Sequence, residues 1–368
     1  MACGGDPDSA PQVVAQAETA AGTSGVNADA AERRERALRA ARVWYQPRTP
    51  IALVNLGDNP PGPDAFRSTE TVACRFLAEP VGGTTAKFNC RLASGEVVKV
   101  KYGAANAELA SEVAASRLLS ALGFGADRVY LVDRVRCAGC PPYPFQSLKC
   151  LAETSLGNGC MAGGLDYSRS RDFDPAVIER RFPGTAIEAV DGQGWAWFEL
   201  DRIDPGAGGS PRAEVDALRL VAVLLAHWDN KAENQRLVCT IPLSADGSCA
   251  KPLALIQDLG GAFGPAKIDL RNWREYRVWS DPASCSVSMK TLPFGGATFA
   301  DRRISEGGRT LLLGLLEQLS DQQLHDLFTG SRITGFDHVS AAGRDAGGWV
   351  AAFKDKVAQI RSAGPCPP

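Results

Sequence analysis

The spacing of apolar and polar residues changes character twice along the chain. Residues 1 to about 30 hold almost no large apolar side chain and predict a disordered tether. "ADAAERRERALRAARVWY" (28–45) reads as a short charged helix. "TVACRFLAEPVGGTTAKFNCRLASGEVVKVKYG" (71–103) then reads as three strands joined by the turns "PVGGTT" and "ASGE". Its last segment, "VVKVKY", alternates as a half-buried strand does. "AELASEVAASRLLSALGFG" (107–125) switches to helical spacing and stops at glycine. "DRVYLVDRVRC" reads as one further strand, 137–185 as a Cys-, Pro- and Gly-rich insertion, and "GWAWFELDRI" (194–203) as another strand.

The second half is mostly helical. "PRAEVDALRLVAVLLAHW" predicts a strong helix with proline near its first turn. "QRLVCTI" and "PLALIQD" predict a hairpin, and helices follow around 306–319, 321–328 and 346–361. "LSDQQLHDLF" carries its own N-cap signal. The pattern divides the chain into 1–45 (tether and charged helix), 46–203 (a β-rich part holding the insertion) and 204–368 (a helical part). The expected class is α+β with two lobes.

Composition narrows the function. The 368 residues are 45% hydrophobic and 22% charged, as in an ordinary globular protein. Forty basic against 42 acidic residues give a net charge of −2, with no basic block for nucleic acid. The longest apolar stretch, Leu218 to Ala226, is interrupted by Arg219 and is far short of the roughly 20 residues of a spanning helix.

Eleven cysteines change the picture more. Cys74 and Cys90 flank a Gly-rich turn, and Cys239 and Cys249 flank "TIPLSADGS", so both pairs are placed like rungs between adjacent strands. Ten cysteines can pair and leave Cys3 over. That usage points to an oxidising compartment. "MACGGDP" is similar to the lipid-bearing cysteine region of bacterial lipoproteins, although a basic and apolar signal segment does not precede it. The expectation is an exported protein of a bacterial envelope or periplasm with Cys3 as candidate lipid anchor; the alternative is a cytoplasmic one. Cys137-x-x-Cys140 is followed by "PPYP", which blocks the helix a redox motif leads into, and no second C-x-x-C offers a zinc partner. Structural disulfides are expected there.

"HWDNKAEN" (227–234) follows the apolar helix, and "IQDLGGAFG" follows the hairpin. Together they resemble the catalytic loop "HRDLKPEN" and the DFG motif of eukaryotic-like protein kinases. "VVKVKYG" resembles the strand that ends in the ATP-contacting lysine, and "AELASEVAASRLL" the helix that supplies that lysine's glutamate. The resemblance spans roughly 71 to 330 and leans to the atypical branch: lipid kinases, bacterial toxin-type serine kinases and secretory-pathway kinases. It implies a two-lobed kinase-like fold, ATP and Mg²⁺ (or Mn²⁺) as cofactors, and a hydroxyl-bearing acceptor on a protein or small molecule. It places Asp229, Lys231 and Asn234 in catalysis, and Asn234 and Asp258 on the metal. Lys101 and Glu112 go to the nucleotide, with Gly82, Gly83, Thr84 and Thr85 as the phosphate-covering turn.

The chemistry agrees with those residue types. Phosphoryl transfer needs a positioned hydroxyl, metal on the phosphates and positive charge where negative charge develops. Asp229 would orient the acceptor's proton; Asn234 and Asp258 offer the hard oxygens that Mg²⁺ takes. Lys99 and Lys101 share one strand face, and Glu108 and Glu112 one helix face, so pattern separates neither pair. The strand-end position favours Lys101, and the start of the apolar run favours Glu112. The turn 82–85 lacks G-x-G-x-x-G, and Trp228 stands where many kinases have arginine. Three rivals stay open: a nucleotide transferase of the same fold, a pseudokinase that binds without catalysis, and an exported structural protein.

Overall fold

A computed structural model describes residues 29–154, 156–161, 164–189, 194–264, 268–290, 299, 301–336 and 341–367. The expectations for the tether and for Cys3 lie outside them. The architecture is α+β in two parts, as the pattern predicted. A helix over 29–39 (α1) is docked rather than free: Arg34 holds both oxygens of Glu199 at 2.9 Å, and Leu38 is fully buried.

The first part is a seven-stranded sheet. Its strands are β1 (Thr71–Leu77), β2 (Lys87–Leu92), β3 (Val97–Tyr102), β4 (Arg128–Val132), β5 (Arg134–Ala138), β6 (Ser170–Phe173) and β7 (Ala176–Arg180), in the order β4-β7-β3-β2-β1-β5-β6. Two expectations are corrected here. "DRVYLVDRVRC" is two strands, not one: exposed Asp133 breaks the run, and its N–H and that of Arg134 turn to the Glu70 carbonyl at 3.1 and 3.3 Å. Only Asp133 separates β4 from β5, yet four strands lie between them in the sheet, so the sheet curls until its sides meet. β7, inside the stretch read as an insertion, is also an inner strand, pairing with both β3 and β4, and helix α3 (Pro144–Glu153) lies in the same stretch.

Alternation sorts the faces. Val98 and Val100 of β3 enter the curled interior with Phe76, Phe88 and Ile178. Lys99 and Lys101 are left on the other face, level with Glu179 and Val177 of β7. Helix α2 (Glu108–Leu122) covers that face through Leu109 and Val113 on Val129, Leu131 and Val177. Gly123 ends it at φ 88°, where a side chain would strike the Tyr45 carbonyl at 2.1 Å.

The second part is built on α4 (Arg212–Leu224), buried from Glu214 to its end and packed against α6 (Glu306–Leu316). Strands β9 (Gln235–Cys239) and β10 (Pro252–Ile256) form the expected hairpin, with a two-residue strand β8 (Thr185–Ala186) beside it. Between α4 and α6 lies a short helix, α5 (Leu270–Glu275); after α6 come α7 (Asp321–Gly330), capped by Ser320 with Gln323, and α8 (Ala346–Ser362). Phe263, Trp273, Phe328 and Trp349 form one aromatic nest among them, with Phe263 and Trp273 5.2 Å apart. No helix among the described residues is long and apolar enough to cross a membrane.

The stretch 194–203 is a correction as well. Residues Trp197–Arg202 form a 3₁₀ turn: Trp195, Trp197 and Glu199 could share one face of a strand, but Leu200 is buried beside Glu199, which breaks the alternation. Glu199 closes the turn by accepting the Ala196 N–H at 2.8 Å.

The disulfides are Cys74–Cys90, Cys137–Cys140, Cys150–Cys160, Cys239–Cys249 and Cys285–Cys366. Cys74 and Cys90 join diagonally, since their directly opposite partners are Leu92 and Phe76. The sulfurs of Cys74, Cys90 and Cys137 lie within 4.8 Å of one another, but each is bonded as a disulfide and offers no thiolate to a metal. With ten of eleven cysteines paired, thiol titration of the denatured, unreduced chain is expected to find one thiol, not eleven. Cys285–Cys366 spans 81 residues, so replacing both by serine is expected to cost about 4 kcal/mol in urea denaturation.

Candidate active site

The site begins on β3. Lys101 is fully buried on the sheet face under α2, and its ammonium lies 2.7 Å from Glu112 Oε1. Lys99, one pleat earlier, goes to Glu179 at 2.6 Å. Geometry therefore separates the two lysines that pattern left equivalent. Glu108 does not reach the lysine; its side chain lies on Gly260, where an added Cβ would sit 3.0 Å from it.

The loop of the second part is set by the end of α4. Ala226 turns the chain at φ 49°, held by N–H bonds from Ala226 to Val223 and from His227 to Ala222. His227 is fully buried with neither ring nitrogen bonded among the described residues, and burial drives its pKa down to about 4, so the ring is neutral. Asn230 pins the loop from below, donating to the His227 carbonyl and accepting from Trp197 Nε1 at 2.6 Å. Asp229 is half-buried, and that burial raises its carboxyl above the usual range despite Lys231 at 3.6 Å. Asn234 gives its amide N–H to the Asp229 carbonyl at 2.7 Å, and its Oδ1 accepts nothing among the described residues.

Asp258 follows β10 and joins the two parts. Its Oδ1 lies 3.4 Å from Lys101 Nζ and accepts the Gly260 N–H at 3.2 Å; Oδ2 accepts nothing among the described residues. A quarter of the side chain stays open. Burial works against its charge, but Lys101, Lys99 and Lys87 outweigh it and hold the carboxyl well below the usual range. The backbones of Asn234 and Asp258 adjoin, since Gln257 and Asp258 both donate to the Asn234 carbonyl at 2.9 and 3.4 Å. An ionised carboxylate and a side-chain amide carried on adjoining backbone segments are a donor set that fits a hard divalent cation. Ser111 of α2 fixes the segment by donating to the Gly260 carbonyl at 2.5 Å. Trp228 packs where a Gly261 side chain would go, and this contact occupies the position that carries arginine in the motif it resembles.

Lys101 serves three carboxylates, with Glu179 the third at 3.6 Å. Burial, with Glu179 and Asp258 adding, pushes Glu112 up to about 8 against the pull of Lys101. The same carboxylates hold Lys101 well above its usual value although burial opposes it.

Sequence reasoning missed three groups. Glu179 was hidden in the supposed insertion, although the β-branched run "AVIE" could have marked a strand. Asp127, raised to about 7 by burial, faces Arg236 at 3.5 Å and accepts the Phe182 N–H at 2.6 Å. Lys87 is paired in register with Lys101, has no ion-pair partner among the described residues, and is lowered by burial and by Lys101. The turn of Gly82, Gly83, Thr84 and Thr85 leads directly into it, and a Gly83 side chain would sit 3.0 Å from Lys87 Nζ. The turn itself makes no hydrogen bond among the described residues and stays open.

No family model matches the chain, and no curated protein does. Among solved structures it is similar to the Helicobacter pylori proinflammatory kinase CtkA, at 12% identity and a TM-score of 0.43, over 80% of this chain and 97% of that one. A likeness that loose assigns neither fold nor activity.

Removing the shared ammonium leaves buried carboxylates uncompensated. Lys101→Met is expected to cost about 3–5 kcal/mol near neutral pH, and adding Glu112→Gln to recover part of it. The cost should be small in acid and grow as pH rises through the ordinary carboxylate range. Against burial, Lys101 with Lys99 holds Asp258 and Glu179 below their usual range, a depressed carboxyl contributes stability once it is ionised, and the variant loses that contribution. Urea denaturation at about pH 3 and about pH 7 checks both; a pH-independent loss contradicts the charge account.

Proposed function

We propose that this chain is a kinase-like phosphotransferase that uses Mg–ATP to phosphorylate a hydroxyl-bearing acceptor. The observation that carries the proposal is Lys101, which ties Glu112 of the sheet part to Asp258 of the helical part at 2.7 and 3.4 Å, beside a loop bearing Asp229 and Asn234. Binding falls to the lysines: Lys101, held by Glu112, and Lys87, under the turn of Gly82, Gly83, Thr84 and Thr85, offer positive charge to the phosphates. Asn234 Oδ1 and Asp258 would hold the divalent cation, which when bound would neutralise phosphate charge. Asp229 orients the acceptor hydroxyl and takes its proton as the hydroxyl oxygen bonds to the terminal phosphorus of ATP, while the bond from that phosphorus to the bridging oxygen breaks and ADP leaves. Lys231, half-exposed beside Asp229, stabilises the charge that develops on the transferred group.

Five disulfides fit an exported protein, and ATP is scarce outside the cytoplasm. That observation favours the second reading, a nucleotide-binding pseudokinase. The two part on turnover. Incubation with Mg²⁺ or Mn²⁺ and terminally labelled ATP is expected to label an acceptor or the chain itself. Asp229→Ala and Asp258→Ala should each lower the rate by at least about 100-fold. Nucleotide-dependent thermal stabilisation without transfer would favour the pseudokinase, and no binding would sink both.

The rate should fall as pH drops through the pKa of Asp229, which must be ionised to act. That carboxyl is raised, so the acid limb is expected above the ordinary carboxylate value. A limb at or below that value would remove Asp229 from the role of base.

A further inference from the structure

Two of the five disulfides do not stand apart. Cys74–Cys90 joins β1 to β2, and Cys137–Cys140 closes the turn after β5. β1 lies between β2 and β5, and Cys74 is level with Cys137 across the parallel pair. All four side chains enter the curled interior, where Cys90 Sγ and Cys137 Sγ, from different disulfides, are 4.0 Å apart. Among the described residues, no three His, Cys, Asp or Glu side chains other than Cys74, Cys90 and Cys137 bring ligand atoms within 4.8 Å of one another.

That separation has a chemical meaning. Four thiolates held about 2.3 Å from one zinc ion lie roughly 3.8 Å from each other. Cys90 and Cys137 already stand close to this, and each bonded pair has to part by only about 2 Å to reach it. Gly139, at φ 79°, reverses the chain between Cys137 and Cys140, so one short turn offers both sulfurs. Phe76, Phe88 and Val135 pack in the same cluster, a setting for a closed structural ion rather than a catalytic one. Four thiolates leave negative charge in excess of the ion. Arg171 is level with Cys137 on β6, donates to the Cys140 carbonyl at 3.2 Å and has no ion-pair partner among the described residues, so its guanidinium is free to answer that charge. Cys140 and Cys74 keep 8% and 7% of their surface while Cys90 and Cys137 keep none, which sets the side from which an ion enters.

We propose that these four cysteines are a redox-exchanged zinc site: two disulfides in the oxidised chain, one zinc ion on four thiolates in the reduced chain. Each disulfide takes two electrons and two protons from an external dithiol, whose own sulfurs join as a disulfide. Zinc binding then releases the four thiol protons to solvent. The reduced state is the one a chain holds before it reaches an oxidising compartment. Soft sulfur donors select Zn²⁺ over Mg²⁺, so this site does not compete for the cation of Asn234 and Asp258. The two disulfides fasten β1 to β2 and close the turn after β5 separately; the ion ties all three strands to one point. The inference stands apart from the phosphotransferase reading.

The test reduces the full chain with a phosphine under argon and titrates it with Co²⁺, whose thiolate complexes absorb visible light, then with Zn²⁺. The expected result is one Co²⁺ per chain with tetrahedral thiolate absorption, displaced by Zn²⁺. Cys137→Ser is expected to weaken Co²⁺ binding at least roughly tenfold, and Cys239→Ser with Cys249→Ser to leave it unchanged. If reduction unfolds the chain, Zn²⁺ should restore its folded circular dichroism spectrum, and should fail to do so in Cys137→Ser. A reduced chain that neither gives the thiolate absorption nor refolds with Zn²⁺ overturns the inference. An undiminished signal in Cys137→Ser, or one lost with Cys239 and Cys249 instead, overturns it as well.

Discussion

One ammonium group holds this molecule's two parts in register. Lys101 is fully buried and lies within 4 Å of Glu112, Glu179 and Asp258, contributed by a helix, a strand and the segment after a hairpin. A buried charge is costly unless it is paired, and here three carboxyl groups share one cation, with Glu112 pushed up by burial to about 8 and so largely protonated near neutral pH. Lys99 is drawn to Glu179, and among the described residues Lys87 has no ion-pair partner and Asp258 Oδ2 accepts nothing.

The scaffold serves that cluster through ordinary packing. Alternation on β3 sends the valines into the curled sheet and the lysines to the cleft. Helix α2 then lays Glu112 over Lys101 and Ser111 against the Gly260 carbonyl. Glycine at 261 admits Trp228 so closely that a side chain there would collide, and at 260 a side chain would be tight against Glu108. From the other side, Trp195 donates to the carbonyls of Arg236 and Leu255, and Trp197 to Asn230, so two buried tryptophans fix the hairpin and the loop it follows.

The parts legible in the sequence are those where a local rule and the tertiary need agree. The three-strand run, α2 with its glycine stop, the hairpin, the Ser320 cap and the two flanking cysteine pairs all follow from spacing. The failures share one cause: long-range burial overrides local pattern. Asp133 looked like a polar residue within a strand because nothing local says that the sheet must curl there. The 194–203 stretch is rich in strand formers, yet the adjacent residues Glu199 and Leu200 are both buried, which a one-faced strand does not allow. The candidate site was legible as residue types at the right spacing, and Lys101 with Glu112 does meet. Glu179 was not, because a buried charge on a strand leaves no periodic trace and only its partners reveal it.

If the cluster is a metal–nucleotide site, metal and nucleotide must tighten each other's binding by the same factor. The most direct measurement is Mn²⁺ affinity by electron paramagnetic resonance, with and without ATP, on the native chain and on Asp258→Asn. The account predicts Mn²⁺ binding that ATP strengthens at least roughly tenfold, lost together with that coupling in the variant. Mn²⁺ binding that is indifferent to ATP, or unchanged in Asp258→Asn, would contradict it.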